Sequence, residues 1–425
     1  MRKLQPSLDF AAPAARAVLP LEEELTRFVC GGRPTVVSAT TVPGPDGRPV
    51  SVPTFTNEFW TSRQRAAHTL HEVSYRACFK PQLPRFFIER LTGPGDRVYD
   101  PFMGRGTTLV EAALLDRRVA GCDVNPLSRV LVAPRLEPPS LADVESRLAS
   151  IDLGAHEDVR DDLLAFYHPD TLAAIGALRR YLVGRDADGS LDAVDRWIRM
   201  VAVNRLTGHS PGFFSVYTMP PNQAVSIGVQ QKLNARRRQT PPLRDVKRII
   251  VKKSASLLGG CDEALRERLR RRAADAVLVT ARAAATPDIP GGSIDLAVTS
   301  PPFLNVVDYA ADNWLRCWFC GIDPAAVRIT LAKRLDDWRA AMAEVFVELA
   351  RVVKPGGHVA FEVGEVRGGT VKLEESVIPA AMDAGFEPAL VLINAQVFTK
   401  TANCWGVTNN AKGTNTNRIV LLRRP

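Results

Sequence analysis

The chain has 425 residues, 46% hydrophobic and 24% charged with a net charge of +9, which suits a well-cored globular protein of one large or two to three ordinary domains. No charge-free apolar run approaches the ~18 residues of a membrane helix, and the first residues lack the apolar stretch of a secretory signal, so no membrane association is expected. The seven cysteines are scattered and odd in number, which argues against a disulfide framework and for a reducing, cytoplasmic setting.

Residues 1–55 are rich in proline, glycine and valine without a sustained period and are expected to form an irregular N-terminal extension, with Pro43-Gly44-Pro45-Asp46-Gly47 as a strong turn signal. From Glu58 to Leu91 the apolar spacing becomes helical, broken at Pro81 and Pro84. A strand-turn-helix-strand unit follows: Arg97 to Asp100, the turn Pro101-Phe102-Met103-Gly104-Arg105-Gly106, a helix from Thr107, and a strand from Arg118 to Asp123. That order in so few residues predicts a parallel βαβ unit. Residues 126–275 read differently, as helical patterns such as Thr171 to Leu182 and Ala193 to Leu206 joined to a basic region. Between Val201 and Asp275 there are fifteen Arg and Lys against five Asp and Glu, so the positive charge is regional. The α/β alternation then returns. Ile294 to Val298 is a strand; Trp338, Met342, Val345, Leu349 and Val352 share one helix face; His358 to Val363 and Ile419 to Leu422 are strands. The expected division is an extension (1–55), a first α/β part (56–125), a helical basic insertion (126–275) and a second α/β part (276–425).

In an open parallel sheet ligands collect at the carboxyl ends of the strands, where Asp100, Asp123 and Ser300 fall. Gly104 and Gly106 let the backbone approach a ligand, and the helix start behind them offers free amide donors. Asp123, at the end of the second strand, is placed to accept hydrogen bonds from ribose hydroxyls. A nucleoside-bearing cofactor is implied. The third glycine of a dinucleotide fingerprint is absent, since Leu109 stands in its place. Asp100 would repel a pyrophosphate but suits an ammonium group, which favours S-adenosylmethionine. Thr299-Ser300-Pro301-Pro302-Phe303 combines a hydroxyl, two rigid prolines and an aromatic ring at a strand end, a plausible clamp for a flat ring bearing an amino group. Cys317 and Cys320 are read as buried small hydrophobes on a helix, and His68 and His71 have no cysteine partner, so no metal is expected.

Asp100 to Thr108 resembles the cofactor motif of the bacterial DNA amino-methyltransferases, and Ser300-Pro301-Pro302-Phe303 is similar to their catalytic motif. Phe79 to Pro84 resembles the segment that covers the methionine end of the cofactor, and Lys412 to Arg418 the loop before the family's last strand. The resemblance spans about residues 75–125 and 280–422. It implies an α/β, Rossmann-like class I methyltransferase sheet with a large, mainly helical insertion. It further implies binding of S-adenosylmethionine by Lys80, Pro81, Asp100, Pro101, Phe102, Gly104, Gly106, Thr107, Thr108 and Asp123, with Ser300, Pro301, Pro302 and Phe303 as the catalytic group. The serine form goes in this family mainly with cytosine N4 methylation, the aspartate or asparagine form mainly with adenine N6. Two departures stand out. Phe303 replaces the usual tyrosine, and an acidic residue often found on the third strand is missing from Val279 to Ala283.

The exocyclic amine is a poor nucleophile because its lone pair is delocalised, so the Ser300 hydroxyl and the Pro301 carbonyl are expected to accept its hydrogen bonds while Phe303 stacks on the ring. That amine is paired inside a duplex, so double-stranded DNA with its target base flipped out is the expected partner. Arg236, Arg237, Arg238, Lys247, Arg248, Lys252 and Lys253 are the expected DNA-binding residues, with Gly208 to Tyr217 as a recognition loop beside them. A restriction endonuclease is a possible partner, but the sequence decides neither that nor the oligomeric state nor the recognition site. Adenine N6 methylation, RNA or protein amide methylation, and a non-catalytic nucleic-acid-binding protein on a methyltransferase fold are the competing readings.

Overall fold

The computed structural model describes residues 20–61, 67–76, 78–154, 160–218, 224–302, 309–324, 327, 334–366, 371–396 and 416–425. After helix α1 (Leu21–Arg27), strands β1 (Val36–Pro43) and β2 (Pro49–Asn57) form an antiparallel hairpin. Then come α2 (Gln82–Leu91), β3 (Arg97–Asp100), α3 (Thr107–Leu114) and β4 (Arg118–Asp123). Helices α4 (Leu127–Leu136), α5 (Leu141–Ser150), α6 (Pro169–Ala187), α7 (Ala193–Val203), α8 (Ile227–Arg237), α9 (Val246–Leu258) and α10 (Glu263–Ala274) lie between β4 and β5 (Val277–Thr280). The chain closes with β6 (Ile294–Thr299), α11 (Tyr309–Cys320), α12 (Leu335–Val352), β7 (Val353–Val363), α13 (Glu374–Asp383), β8 (Glu387–Ala395) and β9 (Thr416–Arg423).

These strands form one nine-stranded sheet in the order β1-β2-β8-β9-β7-β6-β3-β4-β5. β1 and β9 run against the other strands. Seven parallel strands with a reversal of order beside β3, interrupted by the antiparallel β9 and edged by the antiparallel β1, make this a Rossmann-like, doubly wound α/β sheet. Both faces of its centre are covered, so the middles of β3 (Val98-Tyr99) and β6 (Leu296-Ala297-Val298) are apolar on both faces. Alternation splits them between two cores. Val98, Leu296 and Val298 face the layer that includes α2, α3 and α4, while Tyr99 and Ala297 face α12 and α13, joined by Ile294 across a register shift at the start of β6. Trp338, Met342, Val345, Leu349 and Val352 all lie buried on one face of α12.

Two expected segments differ. Residues 1–55, expected as irregular, contain β1 and most of β2. Their prolines read as breakers but sit where the sheet tolerates them, since Pro49 and Pro53 precede the residues of β2 that bond to β8, Thr54 to Asn57. The turn signal at Pro43 to Gly47 is the hairpin's own turn, closed by Gly44 N–H on the Arg48 carbonyl at 2.7 Å. The helical spacing from Glu58 to Leu91 yields an α-helix only from Gln82. Pro81 and Pro84 fall at its start, where a missing N–H costs nothing, and the described residues before them hold a single 3₁₀ turn, Thr69–His71, in a strap otherwise without regular secondary structure.

That strap is fastened from below by two buried arginines. Arg105 donates to the carbonyls of Val73 (2.9 Å) and Phe79 (3.4 Å), and Arg135 of α4 donates to the carbonyl of Leu70 (3.2 Å) and to that of Arg105. Between them runs the glycine turn, where Gly106 has φ 73° and a Cβ would overlap the Val132 side chain of α4. Gly106→Ala is expected to lower stability by roughly 2–4 kcal/mol in urea unfolding, and adding Val132→Ala to recover part of the loss.

Candidate active site

β3, β6 and β7 are neighbours at the middle of the sheet, so their carboxyl ends open onto one edge. Asp100, at the end of β3, is almost wholly buried and accepts hydrogen bonds from the Phe102 N–H (3.0 Å) and the Thr299 hydroxyl (2.6 Å). Asp123, at the end of β4, accepts from the N–H groups of Gly104 and Asn125, each at 2.9 Å. Those two bonds shape the glycine turn and leave each Asp123 oxygen a further lone pair. Thr108 does not face the ligand space; fully buried, it donates to the Val298 carbonyl at 3.0 Å and ties α3 to β6.

Above these ends lies an open cleft. Of the sequence-predicted cofactor residues, Asp100, Pro101, Phe102, Gly104, Thr107 and Asp123 line it. Ser300 and Pro302 line it as well, which brings the glycine turn and the serine-proline loop to one space. Gly106 lies behind the turn against Val132, and Pro81 caps α2. Lys80 is half-buried beside the strap, its ammonium pKa lowered by burial and then by the Arg105 charge. Pro301 is buried, and Phe303 lies outside the described residues. The apolar wall comes from Tyr75, Phe79, Met103, Met342 and Val345.

Burial pushes the Asp100 carboxyl up to about 7, against the pull of its hydrogen bonds from the Thr299 hydroxyl and the Phe102 N–H, with the nearby Asp123 adding a smaller push. Burial raises Asp123 too. Two carboxylates in an apolar cleft, with no basic side chain paired to either among the described residues, suit a ligand that brings its own cation and its own hydroxyl donors. The residues present therefore fit a cationic nucleoside.

Two residues of the site were not singled out from sequence. The β6–β7 register sets Thr299 opposite Phe361, which brings Ser300 alongside Glu362. The Ser300 hydroxyl stands close enough to the Glu362 carboxyl to stabilise its charge, and Glu362 accepts from Asn417 Nδ2 at 3.0 Å. Burial raises the Glu362 carboxyl above its ordinary range. A glutamate near the end of the apolar run His358 to Val363 was the available signal. Trp338 was read only as a core residue of α12; its indole N–H also donates to the Pro302 carbonyl at 3.0 Å and so occupies that acceptor. At the third strand, where the expected acid is missing, Arg282, Ala283 and Ala284 form the cleft's edge.

The basic region divides on inspection. Arg266 and Arg270 of α10 pair with Glu263 and Glu267, both at 2.5 Å, and Arg272 with Asp116 at 2.8 Å. Lys247 donates to the Ile151 carbonyl (2.7 Å), Lys253 pairs with Glu72 (3.1 Å), and the Arg237 guanidinium stacks 3.9 Å over the Tyr217 ring. Arg236 and Arg238, at the end of α8, and Arg248 and Lys252 of α9 are exposed. In the expected recognition loop, Gly208 bridges to Tyr217 while Phe213, Phe214 and Val216 are buried.

Residues 50–128 match a family model described as DNA methylase. The chain is 35% identical over 75 residues to the Type II methyltransferase M.MjaII of Methanocaldococcus jannaschii, a match covering 18% of this chain and 14% of that protein. It is 34% identical over 107 residues to M.MvaI of Kocuria varians (23% of each), and 20% identical over 307 residues to M.BsoBI of Geobacillus stearothermophilus (65% and 57%). The matches thus span 14% to 57% of the length of these relatives. In its cofactor-motif segment the chain is thus similar to DNA methylases.

Because the folded Asp100 carboxyl titrates near 7 rather than at its ordinary 3.8, its contribution to stability is fully present below the unfolded pKa and is lost as pH rises through about 7. Ligand-free Asp100→Asn is therefore expected to melt above the parent protein at pH 8, and this advantage to shrink toward pH 5. An equal difference in melting temperature at both pH values would count against the shifted carboxyl.

Proposed function

We propose that this protein is an S-adenosylmethionine-dependent DNA methyltransferase acting on the exocyclic N4 of cytosine. The observation that carries the reading is the meeting of Ser300 with the glycine-turn carboxylates in one cleft, with the buried Glu362 beside Ser300 on the neighbouring strand. The match of residues 50–128 to the DNA methylase model supports the reaction class.

When bound, S-adenosylmethionine supplies an electrophilic methyl group on a sulfonium. Asp100 would hold its ammonium and Asp123 its ribose hydroxyls, with Phe79 and Phe102 walling the cleft. Pairing with a cation returns Asp100 to its ionised form. The chain's own residues prepare the amine. Ser300 donates its proton toward Glu362, so its oxygen faces the target amine as an acceptor. As the amine nitrogen gains a methyl group it must lose a proton. That proton passes to the Ser300 oxygen while the Ser300 proton passes to the Glu362 carboxylate, which burial has made a better base than an exposed glutamate. The Pro301 carbonyl takes the second amine hydrogen, because Trp338 already holds that of Pro302.

Incubation with labelled S-adenosylmethionine and duplex DNA, digestion to nucleosides and mass analysis should yield N4-methylcytosine. N6-methyladenine would reassign the base, and unmodified DNA would overturn the reading. Ser300→Ala is expected to lower kcat by roughly 10²-fold or more with cofactor affinity unchanged. Glu362→Gln should remove the acidic limb of the pH–rate profile, whereas a merely structural Glu362 would leave the profile's shape intact. Arg248→Ala with Lys252→Ala is expected to weaken DNA binding evenly across sequences and to reduce the salt slope by about two.

A further inference from the structure

Helix α8 is attached to the protein in an unusual way. A surface helix ordinarily docks by an apolar stripe, yet the one fully buried side chain among the residues of α8 is Gln230. Gln230 Nε2 donates to the Tyr217 carbonyl at 3.2 Å, Asn234 Nδ2 to the Ala165 carbonyl at 2.7 Å, and Gln239 Nε2, just past the helix, again to Tyr217 at 2.9 Å. Directional bonds of this kind fix how the helix is rotated, and so which side chains point outward.

The outward set is Gly228, Val229, Gln231, Lys232, Ala235 and Arg236, all exposed, with Val229 half-exposed at 50%. Between Ser226 and Gln239 there is no Asp or Glu. The arginines named above in α10 are matched by acids, whereas this face keeps its cations and adds an amide, a branched apolar group and two small residues. These are the groups that read base edges in the major groove. Arg and Lys meet guanine, Gln meets adenine, and an apolar side chain meets the thymine methyl. With eleven residues, α8 is roughly 16 Å long, and an α-helix fits a groove about 12 Å wide.

The helix is also tied to the catalytic cleft. Just before it, Ala224 N–H donates to the Asp312 carbonyl (3.2 Å) and the Val225 carbonyl accepts from the Trp314 indole (3.3 Å). The Asp312 carboxylate in turn pairs at 2.8 Å with Arg76, which lines the cleft. A duplex that delivers a base to the cleft would therefore present its flank to α8.

We propose that α8 is the helix that reads the DNA sequence, with Gln231, Lys232 and Arg236 contacting base edges and Val229 packing on thymine. This inference rests on the DNA-methylating reading above. Arg237 is excluded from base contact because its guanidinium lies over Tyr217.

The test maps the sequence methylated by the wild-type protein, then measures two quantities for Gln231→Ala, Lys232→Ala and Arg236→Ala. These are the methylated sequences in a random-flank DNA library and the ratio of Kd for scrambled to cognate duplex. At least one variant should lose roughly ten-fold of that ratio and accept additional bases at one position of the site. Arg236→Lys should keep more of the discrimination than Arg236→Ala. If all three variants keep the wild-type site and the wild-type ratio within two-fold, or lose affinity for both duplexes equally, α8 contacts phosphate or solvent and the proposal falls. The binding ratio is readable even from a variant that no longer turns over. Wild-type protein that methylates no DNA would instead overturn the reading beneath it.

Discussion

The Thr299 hydroxyl meets the Asp100 carboxylate at 2.6 Å, at the junction of two neighbouring strand ends. Through that bond the end of the strand that opens the glycine turn is joined to the end of the strand that opens the serine-proline loop. Asp100 would otherwise be a buried carboxylate held by one backbone N–H, and such a group sheds its charge. The hydroxyl keeps it poised instead, neutral or ionised according to what fills the cleft. The arrangement depends on register, since Tyr99 lies opposite Ala297, and a shift by one residue would turn Thr299 to the other face.

A second constraint lies beneath the strap. Arg105 and Arg135 are buried with no acid paired to either among the described residues, and burial lowers Arg135 to about 9. Their donors are spent almost entirely on carbonyls: Arg105 on those of Val73 and Phe79, with its Nε on the Thr107 hydroxyl, and Arg135 on those of Leu70, Leu131 and Arg105 itself. Two guanidiniums desolvated in this way cost stability, and they fix the strap's Tyr75 and Phe79 in the cleft wall. The same positive charges stand near a cleft that carries two carboxylates.

Local pattern was enough for the elements whose stability is local or whose both faces are buried. The strands at Arg97 to Asp100 and Arg118 to Asp123, and the helix face from Trp338 to Val352, follow from apolar spacing alone. The hairpin of β1 and β2 was hidden because its partner, β8, lies more than three hundred residues away, Thr54 pairing with Val391. The strap was misread as helix because its carbonyls are satisfied by Arg105 and Arg135, a solution that apolar periodicity does not register. In the site, residue types at strand ends pointed to Asp100, Asp123 and Ser300. Glu362 was missed because a glutamate in an apolar strand says nothing of its neighbour until the strand order is known. The basic run could not be divided, since the acid opposite Arg272 is Asp116, far away in sequence.

The sheet's connectivity also governs how this molecule comes into being. Its central pair joins Val98 to Leu296, with α4 to α10 formed in between. Contacts of such long range are slow to form, because the loop they close must be ordered first. A nascent chain can complete the glycine turn and its helix while Thr299 is still unsynthesised. Until β6 docks, Asp100 lacks its hydroxyl partner and the cleft lacks a floor. The two sides of the cleft should therefore come together in one late step of folding rather than as a gradual gain. A ligand that bridges the two halves would act as a staple on this slow step, drawing the completed sheet out of its folding equilibrium by mass action.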